Sequence, residues 1–333
     1  MVIMVSINDV AKKAGVAKST VSKVLNNYPM VSEETKSKVK VAVKELNYVP
    51  NSVAISLSKR SFHRVGLIID IQHNRQFVDE IGMKHLTGAF DRAQVHHMDV
   101  VTFFTSQFKD MTADQIREHL ASQRINCLII YNMSKEDIHL KELVELEDFL
   151  TVLVDSSLYN QKTSTVTINH YQAQYDVASK TLHENDVTDT ILYIAGEMNS
   201  YVSEKRLQAM VDLQKKYGFK MIIEYGNFDE FKARQIVFQY ASEVDIIVCA
   251  SDLMAIGAVF ALRELDVFHP VCGFDGITLM GYTQIAMNTV KQDFYKKSQL
   301  AFDEIQRLIE GGQGQYIEVP YTIGTIDYMD VIQ

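Results

Sequence analysis

Cysteine, proline and glycine are all scarce in this chain of 333 residues, and each scarcity argues against a class of protein. Three cysteines occur, Cys127, Cys249 and Cys272, far apart and within apolar runs. No pair has metal-ligand spacing, and the odd count predicts buried, reduced thiols and no disulfide scaffold. Fifteen glycines without a glycine-rich loop argue against a phosphate-cradling nucleotide site. The four prolines lie in no low-complexity tract, and no internal repeat is present.

Long apolar runs are absent too, and the charge is unevenly spread. No run approaches the length that crosses a bilayer, and no signal peptide is evident, so we expect a cytoplasmic protein. Residues 1–60 carry ten Lys or Arg against four Asp or Glu, a net +6, and the remainder carries −15 because the whole chain carries −9. A basic head attracts phosphates and an acidic body repels them, so contact with nucleic acid is expected at the head alone.

The first helical segments have the pattern of a helix-turn-helix. Apolar residues at helical spacing lie on both sides of Gly15, namely Ile7, Val10, Ala11 and Ala14 before it and Val21, Val24 and Leu25 after it. A glycine turn between two such helices suits this motif. The polar residues left on the second helix would then face a DNA groove. The alternative is an ordinary helical hairpin with a solvated basic face.

The next segment makes that alternative weaker. Ser32 is positioned to cap a third amphipathic helix that runs through Val39, Val43 and Leu46. Together with the residues up to Leu57, the head resembles the lac repressor, galactose repressor and purine repressor family of bacterial transcriptional regulators. The resemblance rests on residues 9–26, DVAKKAGVAKSTVSKVLN, on VSEETKSKV from residue 31, and on ELNYVPNSVAISL at residues 45–57.

The resemblance implies where DNA is contacted. Lys18, Ser19 and Lys23 would read base edges. Contacts with the DNA backbone are expected from Thr20, Ser22 and Asn26, and Asn51 is expected to contact DNA as well. Residues 51–59 would fold into a hinge helix on the operator, with Leu57 wedged into the minor groove. Packing of Leu57 on a symmetry mate or the core is the alternative. Ala17 stands where the family usually has a capping Ser, and Lys23 where it usually has Arg.

Beyond residue 61, short apolar runs alternate with amphipathic stretches. Such alternation predicts parallel sheets covered by helices on both faces, and nine or more strands suit two sheets. The predicted architecture is an all-α helix-turn-helix head plus hinge helix, then an α/β core of two doubly wound parallel-sheet lobes like the periplasmic binding proteins. We expect domains at residues 1–49 and 62–333, joined by a hinge and linker at 50–61.

Ligands of open α/β sheets bind beyond the carboxyl ends of strands. The candidate effector-binding residues at those positions are Asp70, Asp155, Ser251 and Asp275, joined by Arg206 on a helix and Phe228 in a loop. Carboxylates and a guanidinium suit a polyhydroxylated ligand, and an aromatic ring suits a sugar face. Each Asp could instead cap a helix, as Asp252 is expected to do, and Phe228 could be core. The resemblance favours Arg206 and Asp275, because their segments are similar to the family's effector-gripping Arg and VGFDD turn.

Together these features predict a DNA-binding transcriptional repressor of a sugar-utilisation operon, acting as a dimer on a palindromic operator. A small neutral sugar or nucleoside is expected to release it, since the carboxylate-rich pocket disfavours anions. Control by a partner phosphocarrier protein or by a corepressor is the alternative. An enzyme is not expected, because no nucleotide-binding motif or nucleophile–base pair is found, and neither a cofactor nor a metal is predicted. The chain has no C-terminal heptad tail, so a dimer is expected rather than a tetramer.

Overall fold

The computed structural model describes residues 5–25, 31–46, 48, 63–70, 80–185 and 189–332. The chain separates into two compact units, residues 1–62 and 63–333. Within the described residues the first unit is helical, and the second alternates strands and helices. No helix in these described ranges is both long and apolar enough to cross a membrane.

In the described residues of the first unit there are three short helices, and their ends follow from local chemistry. They are α1 (Ile7–Ala14), α2 (Lys18–Leu25) and α3 (Glu33–Glu45). Ser6 caps α1 in a reciprocal capping box with Asp9, and Gly15 ends that helix at φ 66°, a conformation that glycine adopts without strain. Ser32 caps α3, as the sequence predicts.

A small core joins these helices. Its buried members are Val10, Ala11, Val21, Val24, Val39 and Ala42. The residues predicted to line α1 and α2 are therefore buried or half-buried, and the helix-turn-helix prediction is confirmed. The predicted hinge, residues 50–61, lies outside the described residues.

The second unit contains twelve strands in its described part. They are β1 (Arg64–Ile69), β2 (Asp99–Phe104), β3 (Cys127–Tyr131), β4 (Leu150–Val154), β5 (Thr163–Thr167), β6 (Thr190–Ala195), β7 (Lys220–Tyr225), β8 (Ile246–Cys249), β9 (Val271–Cys272), β10 (Thr289–Lys291), β11 (Tyr316–Glu318) and β12 (Thr322–Gly324). A six-stranded sheet has the order β11-β5-β4-β3-β1-β2, and a four-stranded sheet has the order β7-β6-β8-β9. All pairs in both are parallel, whereas β10 and β12 form a separate antiparallel pair. The prediction of two parallel sheets is confirmed.

Helices cover both sheets. They are α4 (Glu80–Val95), α5 (Ala113–Ser122), α6 (Ile138–Glu145), α7 (His170–Asn185), α8 (Tyr201–Tyr217), α9 (Glu230–Tyr240), α10 (Asp252–Glu264), α11 (Phe294–Ile309) and α12 (Tyr328–Val331). We call the six-stranded sheet with α4, α5, α6 and α11 the larger lobe, and the four-stranded sheet with α7 to α10 the smaller lobe. α11 packs on α4, β4 and β5, so the chain returns to the larger lobe after β10.

Strand ends differ from prediction where polar residues are buried. The sequence predicts a strand at 166–168, but β5 begins at Thr163, which pairs with Thr151 of β4. Its hydroxylated residues are buried, and apolar patterning does not predict burial of such residues. The strand predicted over 271–274 ends at Cys272, since Gly273 N instead donates to Asn288 O at 2.9 Å. The predicted strand end at Ile71 lies outside the described residues.

Candidate functional site

A cavity of about 260 Å³ opens between the carboxyl ends of the strands of the two lobes. All six residues predicted to bind an effector line it, and they are Asp70, Asp155, Arg206, Phe228, Ser251 and Asp275. Parallel strands of both sheets end at this cleft, which is where open α/β sheets bind ligands. The structure therefore brings the predicted residues together, and their binding of an effector stays a prediction.

Three of the six lie at the margins of the cleft. Asp70 is exposed and accepts a hydrogen bond from Thr105 Oγ1 at 2.8 Å. Ser251 is the N-cap of α10, where its hydroxyl accepts from Met254 N at 3.3 Å. Phe228 is half-buried at φ 57°, and its ring leaves no room for a side chain at Gly196. Phe228 thus lines the cleft and also packs against the hydrophobic core.

The interpretation of Asp252 as a helix cap is wrong. Ser251 caps the helix, and the buried Asp252 carboxylate instead accepts from Gly276 N at 2.7 Å, Ile277 N at 2.9 Å and Thr289 Oγ1 at 2.6 Å. These bonds hold the turn that carries Asp275. Asp252 is therefore a positioning group for Asp275.

Beneath the cleft, six buried side chains form a closed ring of polar contacts that joins the two lobes. In order around the ring they are Lys297, Asp155, His170, Arg206, Asp275 and Gln292. Each is less than a tenth exposed, and Lys297 is fully buried. We call this set the polar ring.

On the larger-lobe side of the polar ring, Lys297 Nζ donates to Asp155 Oδ2 at 2.5 Å and to Gln292 Oε1 at 2.8 Å. The second carboxylate oxygen of Asp155 accepts from Thr167 Oγ1 at 3.0 Å and lies 3.1 Å from His170 Nε2. Both oxygens of Asp155 are therefore engaged inside the protein. A ligand in the cleft meets a carboxylate whose charge is already balanced.

On the smaller-lobe side, Arg206 organises the polar ring. One guanidinium nitrogen lies 3.2 Å from His170 Nδ1, and another donates to the carbonyl of Ala250. Arg206 Nη2 lies 3.8 Å from Asp275 Oδ1, and the guanidinium stacks on the Phe274 ring with its carbon 3.6 Å from the centroid. Its planar fork makes these contacts simultaneously, as a lysine ammonium cannot.

The contacts of His170 define its tautomer. Arg206 can only donate, so His170 Nδ1 accepts and the proton lies on Nε2, which donates to Asp155. Burial lowers the pKa of His170 to about 4, so the ring is neutral at physiological pH. Three buried carboxylates, those of Asp155, Asp252 and Asp275, then share two cations. Burial, with the Asp252 carboxylate nearby, raises the pKa of Asp275 to about 7 despite Arg206.

Asp275→Asn should gain stability relative to the parent as the pH rises. The folded parent binds the Asp275 proton more tightly than the unfolded chain does. The stability that this protonation contributes to the parent is therefore fully present below about pH 4 and is lost as the pH rises through about 7. Between about pH 5 and pH 8 we expect the unfolding free energy of the variant to rise by roughly 2–4 kcal/mol relative to the parent. Urea denaturation at fixed ionic strength measures this, with the exposed Asp110→Asn as control. A difference independent of pH would contradict the expectation.

Sequence reasoning missed the other members of the polar ring. Lys297, in a Tyr-Lys-Lys segment, reads as a surface residue, and His170 and Gln292 carry no motif of their own. One signal was available, because Lys297 lies three residues after Phe294 and four before Ala301, on the buried face of α11. In the described part of the chain, His, Cys, Asp and Glu side chains form no cluster suited to a metal ion.

The helical unit presents the second candidate site. Lys18, Ser19 and Lys23 on α2 are exposed, and Thr20 and Ser22 are half-buried on the same helix. The remaining predicted DNA contacts, Asn26, Asn51 and Leu57, lie outside the described residues. The exposed face of α2 is thus polar and basic, and such a helix can donate hydrogen bonds to base edges and phosphates.

Ala17→Ser should stabilise α2. The carbonyl of Ala17 accepts from Thr20 N at 2.9 Å and Val21 N at 3.1 Å, so this residue occupies the position before the helix without a capping side chain. A serine there would bond the first-turn amides, and such caps contribute about 0.5–2 kcal/mol. Hydrogen exchange of α2 in the intact chain measures the gain as slower exchange. Exchange of the α2 amides in Ala17→Ser that is no slower than in the parent would contradict this expectation.

Comparison with known proteins places both units in one family. Residues 6–51 match the family described as bacterial regulatory proteins, lacI family, and residues 65–292 match the periplasmic binding proteins and sugar binding domain of the LacI family. The chain is 28% identical over 316 residues to the HTH-type transcriptional regulator RegA of Clostridium saccharobutylicum, covering 91% of this chain and 92% of that protein. It is 27% identical over 335 residues to the HTH-type transcriptional repressor PurR of Histophilus somni, covering 95% and 96%.

A solved structure has the same fold. The lac repressor dimer bound to operator and the anti-inducer ONPF superposes with a TM-score of 0.81 at 23% identity, covering 97% of this chain and 98% of that one. The second family match alone spans more than half of the chain, from β1 to Gln292 of the polar ring. With a helix-turn-helix head and a two-lobed core that both match, this chain belongs to the LacI family of bacterial regulatory proteins.

Proposed function

We propose that the chain is a sequence-specific transcriptional repressor that binds a palindromic operator as a homodimer and is released by a small neutral effector. The observation that carries this is the pairing of a basic, exposed α2 with a cleft lined by all six predicted effector residues. One small head contacts too few base pairs for specific binding, so two heads related by a two-fold axis are needed. PurR is named a repressor, and the solved lac repressor is a dimer on its operator.

In this proposal the head at residues 1–49 reads DNA, and residues 50–61 connect it to the effector-binding and dimerising core at 62–333. Lys18, Ser19 and Lys23 would contact base edges, and Thr20 and Ser22 the backbone. The resemblance supports similar contacts for Asn26, Asn51 and a minor-groove wedge at Leu57. Lys23 donates from a single point, so guanine readout would be less stringent than with a bidentate arginine.

The charge of the cleft favours a neutral effector. When Asp275 is ionised, the four charged members of the polar ring balance, and the nearby carboxylates of Asp252 and Asp70 add negative charge. A phosphorylated ligand would be repelled, whereas hydroxyl groups can donate to Asp275 and accept from Arg206. Phe228 provides an apolar face for a sugar ring or base. We therefore propose a neutral sugar or nucleoside.

Fluorescence anisotropy on a palindromic duplex from the chain's own promoter, with a scrambled duplex as reference, tests operator binding. We expect specific binding at near-physiological salt, with an affinity that falls as salt rises. Lys23→Ala should weaken specific binding by about 1–3 kcal/mol, whereas Lys109→Ala, exposed on the acidic core, should not. Equal affinity for both duplexes would contradict the proposal.

Titration of compounds into the same operator complex distinguishes an inducer, a corepressor and a partner protein as the controlling signal. Release by a compound identifies an inducer, and tightening identifies a corepressor. Specific DNA binding that responds to no compound but does respond to a phosphorylated carrier protein would favour control by a partner protein.

A further inference from the structure

The larger-lobe wall of the cleft carries a buried histidine that is not a member of the polar ring. His85 lies on α4 and is 3% exposed, and it lines the cleft together with Tyr131 and Phe294. Its ring centroid lies 4.7 Å from that of Tyr131 and 5.2 Å from that of Phe294. Three rings thus form one wall, and only the imidazole brings ring nitrogens into it.

Ser298 anchors one imidazole nitrogen through its side chain, and the backbone of Phe294 is the nearest polar group besides it. His85 Nδ1 lies 2.8 Å from Ser298 Oγ, which lies 3.0 Å from the Tyr131 hydroxyl. His85 Nε2 is buried and has no hydrogen-bond partner among the residues that the structure describes. A buried ring nitrogen is normally paired with a protein group, a water or a ligand. The Ser298 contact fixes the orientation of the imidazole ring of His85, which lines the cleft.

The histidine is neutral. Burial and the nearby Lys297 ammonium lower the pKa of His85 to about 3, and the ring therefore carries no charge at physiological pH. A neutral imidazole can pair with a hydroxyl as donor or acceptor, according to its tautomer, but offers no ion pair to an anionic ligand. This wall therefore suits the same neutral, hydroxylated chemistry as the wall of Arg206 and Asp275.

We propose that His85 is a specificity-determining residue whose Nε2 forms a hydrogen bond with a hydroxyl of the effector, so that the ligand is held by polar groups on both walls of the cleft. The proposal rests on the proposed function, since it deepens the effector site. It narrows the ligand to a neutral compound with hydroxyls at two ends, such as a pyranose or a nucleoside ribose. A ligand hydroxylated only at the end facing Arg206 would leave His85 unpaired and bind more weakly.

Isothermal titration calorimetry of the full chain with a panel of neutral monosaccharides, methyl glycosides and nucleosides supplies the test. The compound that binds the parent most tightly becomes the probe. His85→Phe keeps an aromatic ring and removes both nitrogens, and we expect it to bind the probe about 10- to 100-fold more weakly. His85→Gln, which offers an amide, should recover part of the loss. His85→Leu is made in case the larger phenyl ring prevents folding, which thermal unfolding checks.

Ser298→Ala is the comparison variant, because it removes the anchor of Nδ1 but keeps both imidazole nitrogens. It should weaken binding of the probe less than His85→Phe does, so a loss equal to that of His85→Phe would overturn the proposal. Monodeoxy analogues of the probe add a second readout. The analogue that lacks the hydroxyl paired with His85 should bind the parent more weakly than the probe does. His85→Phe should bind this analogue and the probe with equal affinity.

Two other outcomes would also overturn the proposal. One is probe binding by His85→Phe within about twofold of the parent, and the other is a parent that binds no compound of the panel. Operator binding, measured separately by anisotropy, distinguishes failure of this inference from failure of the repressor function. If the parent binds its operator but no hydroxylated compound, the repressor function stands and the inference about His85 is wrong.

Discussion

Lys297→Met is expected to lower the free energy of unfolding by about 3–5 kcal/mol, because it leaves the buried Asp155 carboxylate without its cation. Lys297 is fully buried, and its ammonium lies 2.5 Å from Asp155 Oδ2. Methionine matches the length of the lysine stem, so packing changes little and the loss is electrostatic. Urea denaturation followed by far-UV circular dichroism measures it.

Two controls make this result specific. Lys296→Met changes the adjacent, exposed lysine and should stay within about 0.5 kcal/mol of the parent. Asp155→Asn combined with Lys297→Met removes both charges and should recover a large part of the loss, since the asparagine amide oxygen can still accept from His170. A double variant as unstable as the sum of the single variants would show that Lys297 and Asp155 do not act as a pair.

Arg206→Lys is expected to weaken effector binding by about 100-fold or more while the chain stays folded, because it loses two charge-assisted hydrogen bonds that are each worth about 1.5–3 kcal/mol. Lysine keeps the charge but cannot contact His170, Ala250 and the Asp275 carboxylate together. It also loses the stacking on Phe274. Calorimetric titration with whichever compound binds the parent measures the loss.

The control for this variant is Arg234→Lys on α9, where the half-buried arginine pairs with Glu264 at 2.6 Å. It should bind the effector like the parent. Operator affinity in the absence of effector should change by less than about threefold in both variants, because each is in the core rather than the head. Equal effector affinity in Arg206→Lys and the parent would remove Arg206 from the site.

The sequence predicts features that depend on local periodicity. Helical spacing around Gly15 predicts α1 and α2, and the Ser32 cap predicts the start of α3. Runs of apolar residues predict the parallel strands, and the rule for strand ends predicts which side chains line the cleft. These features are readable because each depends on residues within a few positions of one another.

Features that depend on distant partners were not predictable in the same way. Asp252 precedes a helix and therefore looks like a cap, but its amide partners are 24 and 25 residues away. Lys297 pairs with a carboxylate 142 residues earlier, and nothing in its neighbourhood announces an ion pair. His85 gains significance only because α4 places it beside Tyr131 and Phe294. Pairings of this kind are set by packing of the two lobes.

Coupling between the cleft and the head is central to a repressor that an effector releases. The direct measurement is the dissociation constant of the operator complex, by fluorescence anisotropy at fixed salt, with and without a saturating neutral compound that binds the parent. We predict that the compound changes the operator affinity of the parent by about 5- to 150-fold. The control variant Arg234→Lys should show the same change. Arg206→Lys should not show it at the same compound concentration. An operator affinity that stays the same while the cleft is filled would contradict this coupling.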